Sequence, residues 1–192
     1  MKKMLCVLLT LLLTISFTGC GKSSPESVTE DFFKGLKKAD QKLLDKLYLG
    51  DAGKGSIVED LIRIIDESES LGNIGGLLSK SILDFDFEVE SVEKRGDTAT
   101  SHVIIKTEDW ETVVSNCTIL IAAKALSMAL DGKSEKQMQK AFKEIIEEQR
   151  DKTEDVTFYL DLNLVNIDGD WKIDISDETS AILNAISGGL AR

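Results

Sequence analysis

The chain has 192 residues, 42% of them hydrophobic and 30% charged, with a single proline. That composition excludes a disordered or low-complexity polypeptide and suffices for one domain with its own core. The formal charge of −11 argues against nucleic acid as a partner, because binding phosphates needs a basic face.

Residues 1–19 differ in kind from the remainder. Lys2 and Lys3 make a short basic start, and residues 5–17 are a mostly apolar run of 13. A helix needs ~20 residues to span a bilayer core, so this run fits the apolar region of a secretory signal instead. It stops at Phe17-Thr18-Gly19-Cys20, which resembles the lipobox of bacterial lipoproteins. The resemblance implies cleavage between Gly19 and Cys20 and a diacylglyceryl group on the Cys20 sulfur. Phe17 stands where leucine is usual, which implies slower cleavage. Two or more acyl chains hold a protein on a membrane stably where one does not, at ~0.8 kcal/mol per buried methylene. Cys6 would leave with the signal and Cys20 would carry lipid, so Cys117 would be the sole remaining thiol and no internal disulfide is expected. Losing residues 1–19 removes two lysines and no acid, leaving −13.

Residues 20–24 form the anchored tether, and the stretch after Cys20 reaches only ~13 Å when extended. Ser24-Pro25-Glu26 reads as a helix start: a capping serine, proline in the first position, acid in the first turn. Val28, Phe32 and Leu36 make its buried stripe. Asp40 caps a second helix carrying Leu43, Leu44 and Leu47. Residues 50–55 read as a loop, Ser56 as the cap of a third helix bearing Ile57, Leu61 and Ile65, and residues 71–83 as a short helix and turn.

The hydrophobic period then becomes two. Phe85, Phe87 and Val89 alternate with acids, and Ala99, Ser101, Val103 and Ile105 alternate beyond Arg95-Gly96-Asp97. A three-residue loop places Phe87 opposite Ile105, Val89 opposite Val103 and His102 opposite Glu90. A two-residue loop would set Phe87 against Lys106, so the buried face favours the longer loop. Helical spacing returns over residues 108–131 with Trp110, Val114, Cys117, Ile121, Ala125 and Met128. Ser134 and Gln137 form a capping box for a partner helix with Met138, Phe142, Ile145 and Ile146 facing inward. Strand alternation resumes at Val156, Phe158, Leu160, Leu162 and Leu164. Asp168-Gly169 is a strong two-residue hairpin signal, pairing Leu164 with Ile173 and Leu162 with Ile175. A last helix over residues 177–187 is built around Ile182, Leu183 and Ile186.

The expected fold class is therefore α+β: a curved antiparallel sheet of two hairpins wrapped by helices, with a helical pair inserted between the hairpins. The opening "SPESVTEDFFKGLKKAD", then "LLDKLY", and the closing "LDLNLVNIDGDWKIDISDE" resemble nuclear transport factor 2-like lipoproteins. The inserted helical pair resembles an uncharacterised Gram-positive lipoprotein family. The resemblance covers residues 25–187, with 108–152 as the insertion, and implies a cone-shaped sheet with a cavity. It carries no activity, since one fold hosts many functions.

Little in the chain announces chemistry. His102 is the only histidine, and a zinc site needs more N or S ligands than one histidine and one cysteine supply. Cys117, on the apolar stripe of a helix, reads as a small core residue. Residues 50–56 lack the Gly-Lys-Ser/Thr ending of a phosphate loop. Asn166-Ile-Asp168-Gly-Asp170 reads as a hairpin turn, because its glycine is misplaced for a calcium loop and no glutamate closes it. Asp84, Asp86, Glu88 and Glu90 read as solvated charge. Lys34, Lys37, Lys38, Lys42 and Lys46 cluster in the first two helices and could face anionic headgroups. No acid falls on an inward face, so no catalytic residue, metal ligand or cofactor is assigned. The expectation is an extracytoplasmic protein held at the cell membrane through Cys20 and binding a protein, peptide or small apolar ligand. Phe32, Phe87, Phe158 and Trp171 are its candidate pocket lining. The alternatives are an isomerase- or hydrolase-like enzyme using the cone, or an envelope stress protein.

Overall fold

The computed structural model describes residues 23–49, 83–174 and 179–190. The signal and lipobox with Gly19 and Cys20, the loop and third helix over 50–82, and Ile175 lie outside the described residues. Helix α1 (Pro25–Lys37) starts where the sequence places it, with the Ser24 hydroxyl accepting from the Ser27 amide at 3.1 Å. It buries Val28, Phe32, Phe33 and Leu36. Helix α2 (Gln41–Leu47) is capped by Asp40, whose Oδ1 accepts from the Leu43 amide at 3.1 Å.

Strands β1 (Asp86–Arg95), β2 (Thr98–Glu108), β3 (Asp155–Ile167) and β4 (Asp170–Asp174) form one antiparallel sheet in that order. Helices α3 (Trp110–Leu130) and α4 (Glu135–Arg150) leave the sheet between β2 and β3. Even so, β2 pairs with β3 along its whole length, from Thr98 opposite Val165 to Glu108 opposite Asp155. Helix α5 (Thr179–Ile186) follows β4. The class is α+β.

The β1–β2 turn corrects the expected three-residue loop. Arg95 pairs with Thr98 across the two residues Gly96 and Asp97, with Gly96 at φ +65°. A β-bulge at Glu90 then shifts the register, so that Val89 faces Val103, Phe87 faces Ile105 and Asp86 faces Lys106. His102 consequently lies opposite Ser91 rather than Glu90. The bulge has a packing reason. Side chains alternate along a strand, and the extra residue lets Val92, Val89 and Phe87 all reach the inner face despite their mixed parity. At the β3–β4 turn, Asp168 and Gly169 both adopt positive φ, and the Gly169 amide donates to Asn166 Oδ1 at 2.8 Å. Leu164 lies opposite Ile173, as the hairpin reading requires.

Helices α1, α2 and α5 cover the inner sheet face, and their core is continuous with it: Phe32, Leu44, Ile105, Leu162, Ile173 and Ile182 are all fully buried. Phe33 stacks on Phe87 with ring centroids 5.2 Å apart. One polar pair lies inside this core. The Thr29 and Ser101 hydroxyls are 2.8 Å apart, and Thr29 also donates to the Pro25 carbonyl at 2.9 Å. Thr29→Val leaves the Ser101 hydroxyl without this partner and is expected to lower stability by about 1–3 kcal/mol, whereas Thr29→Val with Ser101→Ala should recover most of that loss. Denaturant titration of the two variants checks it, and equal losses would show that the pair does not hold α1 to β2.

Candidate functional site

The most unusual element is the excursion between β2 and β3. Asp109 caps α3 through both carboxylate oxygens, Oδ1 accepting from the Thr112 amide at 2.9 Å and Oδ2 from the Thr112 hydroxyl at 2.8 Å. Gly132 at φ +64° turns the chain, and the Ser134–Gln137 capping box opens α4. The two helices share a small core of their own, Trp110, Val113, Cys117 and Ile146, separate from the main one.

Helix α4 is amphipathic in the ordinary way, but α3 is apolar on nearly every side. Its charged residues are Glu111 and Lys124, yet only Trp110, Val113, Cys117 and Met128 of its 21 residues are buried. Ile119, Leu126 and Leu130 are 75%, 66% and 82% exposed. By length and composition α3 could cross a membrane. Two features forbid it here. The strands at its base, β2 and β3, are hydrogen-bonded to each other, so α4 would have to return through the same bilayer. Yet α4 carries charges at Glu135, Lys136, Lys140, Lys143, Glu144, Glu147, Glu148 and Arg150, each unfavourable in hydrocarbon by about 2.5–3.5 kcal/mol for Lys, Arg or Asp even on the mildest scale.

The base of the hairpin is clamped. Arg150 at the end of α4 makes two hydrogen bonds to Glu108 at the end of β2, one from Nε to Oε2 at 2.8 Å. Its guanidinium also lies 5.3 Å from the centre of the Trp110 ring. The Glu108 carboxylate raises the Arg150 pKa further above its already basic value. Lys106 and Asp155 bridge the same strand ends at 3.1 Å. From below, the Glu111 amide donates to the Gly188 carbonyl at 3.0 Å, tying α3 to the end of α5.

Above this base, a groove of about 350 Å³ runs along one side of the hairpin. Its lining includes Val113, Cys117, Ile121, Ala122 and Ile146 and contains no charged side chain. The Thr118 hydroxyl at its edge donates to the Val114 carbonyl at 2.8 Å. Burial pushes the Cys117 thiol up, so it stays protonated at neutral pH and behaves as a small apolar group. The opposite side of the hairpin has a more polar groove between Leu120, Ala123 and Lys124 of α3 and Ile145 and Glu148 of α4. A third hollow lies over the sheet between Arg95, Thr100, Asn163 and Asp174.

The aromatic residues singled out from sequence are elsewhere. Phe32 and Trp171 are buried in the main core, and Phe87 and Phe158 pack against it; the three grooves just described are lined by other residues. His102 is on the outer sheet face, where Nδ1 lies 2.7 Å from Asp161 Oδ1 and Nε2 lies 3.9 Å from Glu93 Oε1. No local sequence signal pairs Asp161 with His102, because that partner comes from β3 rather than from the β1–β2 hairpin. Lys34 is bridged to Glu30 at 2.6 Å and Lys37 to Asp86 at 3.6 Å, so the basic patch of the first helices is partly neutralised by neighbouring acids. Among the described residues the buried polar ones are Thr29, Ser101, Thr107 and Ser187, without a carboxylate, and no three His, Cys, Asp or Glu side chains gather to hold a metal ion. The Tyr48 hydroxyl is buried and has no hydrogen-bond partner among the described residues, and its pKa is raised, first by that burial and then by Asp45.

No protein-family model matches the chain and no curated protein does. Among solved structures it is similar to the candidate lipoprotein ycdA of Bacillus subtilis subsp. subtilis str. 168, at 15% identity and a TM-score of 0.37, over 85% of this chain and 47% of that one. The chain thus spans about half the length of that protein.

Proposed function

We propose that the protein is a lipid-anchored, extracytoplasmic binding module without catalytic activity. In this reading residues 1–19 are the signal, Cys20 carries the lipid, and residues 25–187 are a nuclear transport factor 2-like domain. Its inserted hairpin holds an apolar ligand. The observation that carries the binding role is the groove along α3: about 350 Å³, apolar, and without a charged group in its lining. That is the size and character of a small-molecule site. It offers shape and apolar surface but no general base, so it suits an acyl chain or the apolar side chains of a peptide. The lipobox is what supports the location.

The test is mass spectrometry of the purified full chain for a carried apolar molecule, repeated on Ala122→Trp, which fills the groove from an exposed position. A passenger present in the wild type and reduced at least tenfold in the variant is expected. A passenger retained equally by both would remove the groove from consideration. In the producing cells, Cys20→Ser should abolish labelling by palmitate, and a variant still processed and labelled would sink the anchor.

A further inference from the structure

The outer end of the hairpin brings two properties together. The first is exposed hydrocarbon: Ile119, Leu126 and Leu130 project from the side of α3 away from its small core. The second is charge. Residues 119–147 contain five lysines against Asp131, Glu135, Glu144 and Glu147, a net +1 in a chain of net −11. Lys140 and Lys143 have carboxylates of α4 at 3.8 and 3.5 Å. Lys124, Lys133 and Lys136 have no ion-pair partner among the described residues. A basic, apolar tip on an acidic body is the pattern of an element that enters the headgroup region of an anionic bilayer: the leucines leave water and the ammonium groups meet phosphates. The acidic body is repelled by the same surface, so the tip is the part turned toward it. Pairing with a second copy would bring Lys124, Lys133 and Lys136 of two tips together, which disfavours that occupant.

We propose that the tip of the α3–α4 hairpin is a second membrane contact, with Leu126 and Leu130 immersed in the outer part of an anionic bilayer and Lys124, Lys133 and Lys136 at its phosphates. It rests on the proposed function only in placing the domain at a membrane.

The experiment uses the full chain reconstituted in vesicles of phosphatidylcholine with phosphatidylglycerol, and of phosphatidylcholine alone, each with a brominated acyl chain as quencher. Leu130→Trp supplies the reporter at a site already 82% exposed, against Trp110 and Trp171, which are buried. Expected is quenching of the added emission in the anionic vesicles, severalfold stronger than in phosphatidylcholine alone. Adding Lys133→Glu and Lys136→Glu should lower the inserted-to-free ratio of the tip at least ~25-fold, about fivefold for each lysine taken from the surface. Vesicle flotation separates the two ideas. A chain that floats without quenching overturns the tip contact and leaves the anchor standing, and if cross-linking then shows dimers through α3, the surface belongs to a second copy. Equal quenching in both lipid compositions overturns the role of the lysines. A chain that does not float at all overturns both.

Discussion

Gly188→Ala is expected to destabilise the protein by about 2–4 kcal/mol, from ~1 kcal/mol for a side chain at positive φ and about 1–3 kcal/mol for overpacking. Gly188 sits at φ +57°, just past α5, where its carbonyl accepts from the first turn of α3. A Cβ there would lie 2.0 Å from the Glu108 carbonyl oxygen and 2.8 Å from the Trp110 nitrogen. Both are backbone atoms at the junction of β2 and α3, so no side chain can rotate away. Relief must come from separating α5 from the hairpin base. In a domain of this size the melting temperature should fall by about 4–16 °C. Gly132→Ala is the control. Gly132 has φ +64° but nothing within 4 Å of the added Cβ, so it carries the conformational penalty alone, ~1 kcal/mol. If the two variants melt within a degree of each other, the close approach at Gly188 does not hold the hairpin in place.

That junction was beyond reach of the sequence, for a physical reason. Local signals rest on period and capping chemistry, and these were sufficient for Ser24, Asp40, the Ser134–Gln137 box and Asp168-Gly169. Gly188 owes its role to residues some 80 positions earlier, at Glu108 and Trp110, and no local pattern reports such a contact. The β1–β2 register shows an intermediate case. The buried face required Phe87 opposite Ile105, while the turn chemistry at Gly96-Asp97 suited two residues. The two demands differ by one residue, and the bulge at Glu90 satisfies both. His102 needed β3 as well. Turn length and the buried face set the register within each hairpin, but the β2–β3 register, set across a long helical excursion, is what brings Asp161 to it. Helix α3 was legible as a helix with Cys117 inward. Its nearly charge-free composition ordinarily marks a helix enclosed by protein or lipid, and in this fold one amphipathic partner, α4, covers only part of it.

Trp110→Ala should cost about 3–5 kcal/mol, as large-to-small changes at a buried tryptophan do, but the loss should be confined to the hairpin. Trp110 is 1% exposed and belongs to the small core with Val113, Cys117 and Ile146, apart from the cluster beneath the sheet. Its ring also supports the Arg150 guanidinium that pairs with Glu108. Removing it withdraws packing and the clamp together, while β2 and β3 keep their direct ladder. Native-state hydrogen exchange is the discriminating measurement. Amides of α3 and α4 should lose protection by a factor of at least about 100, since each 1.4 kcal/mol is tenfold, while those at Val103, Ile105 and Leu160 keep theirs. The groove should be lost with the hairpin, so any passenger should leave without the sheet unfolding. Equal loss of protection in hairpin and sheet would mean that the two cores form one cooperative unit. The hairpin would then be a rigid arm of the domain rather than a module able to open at its base.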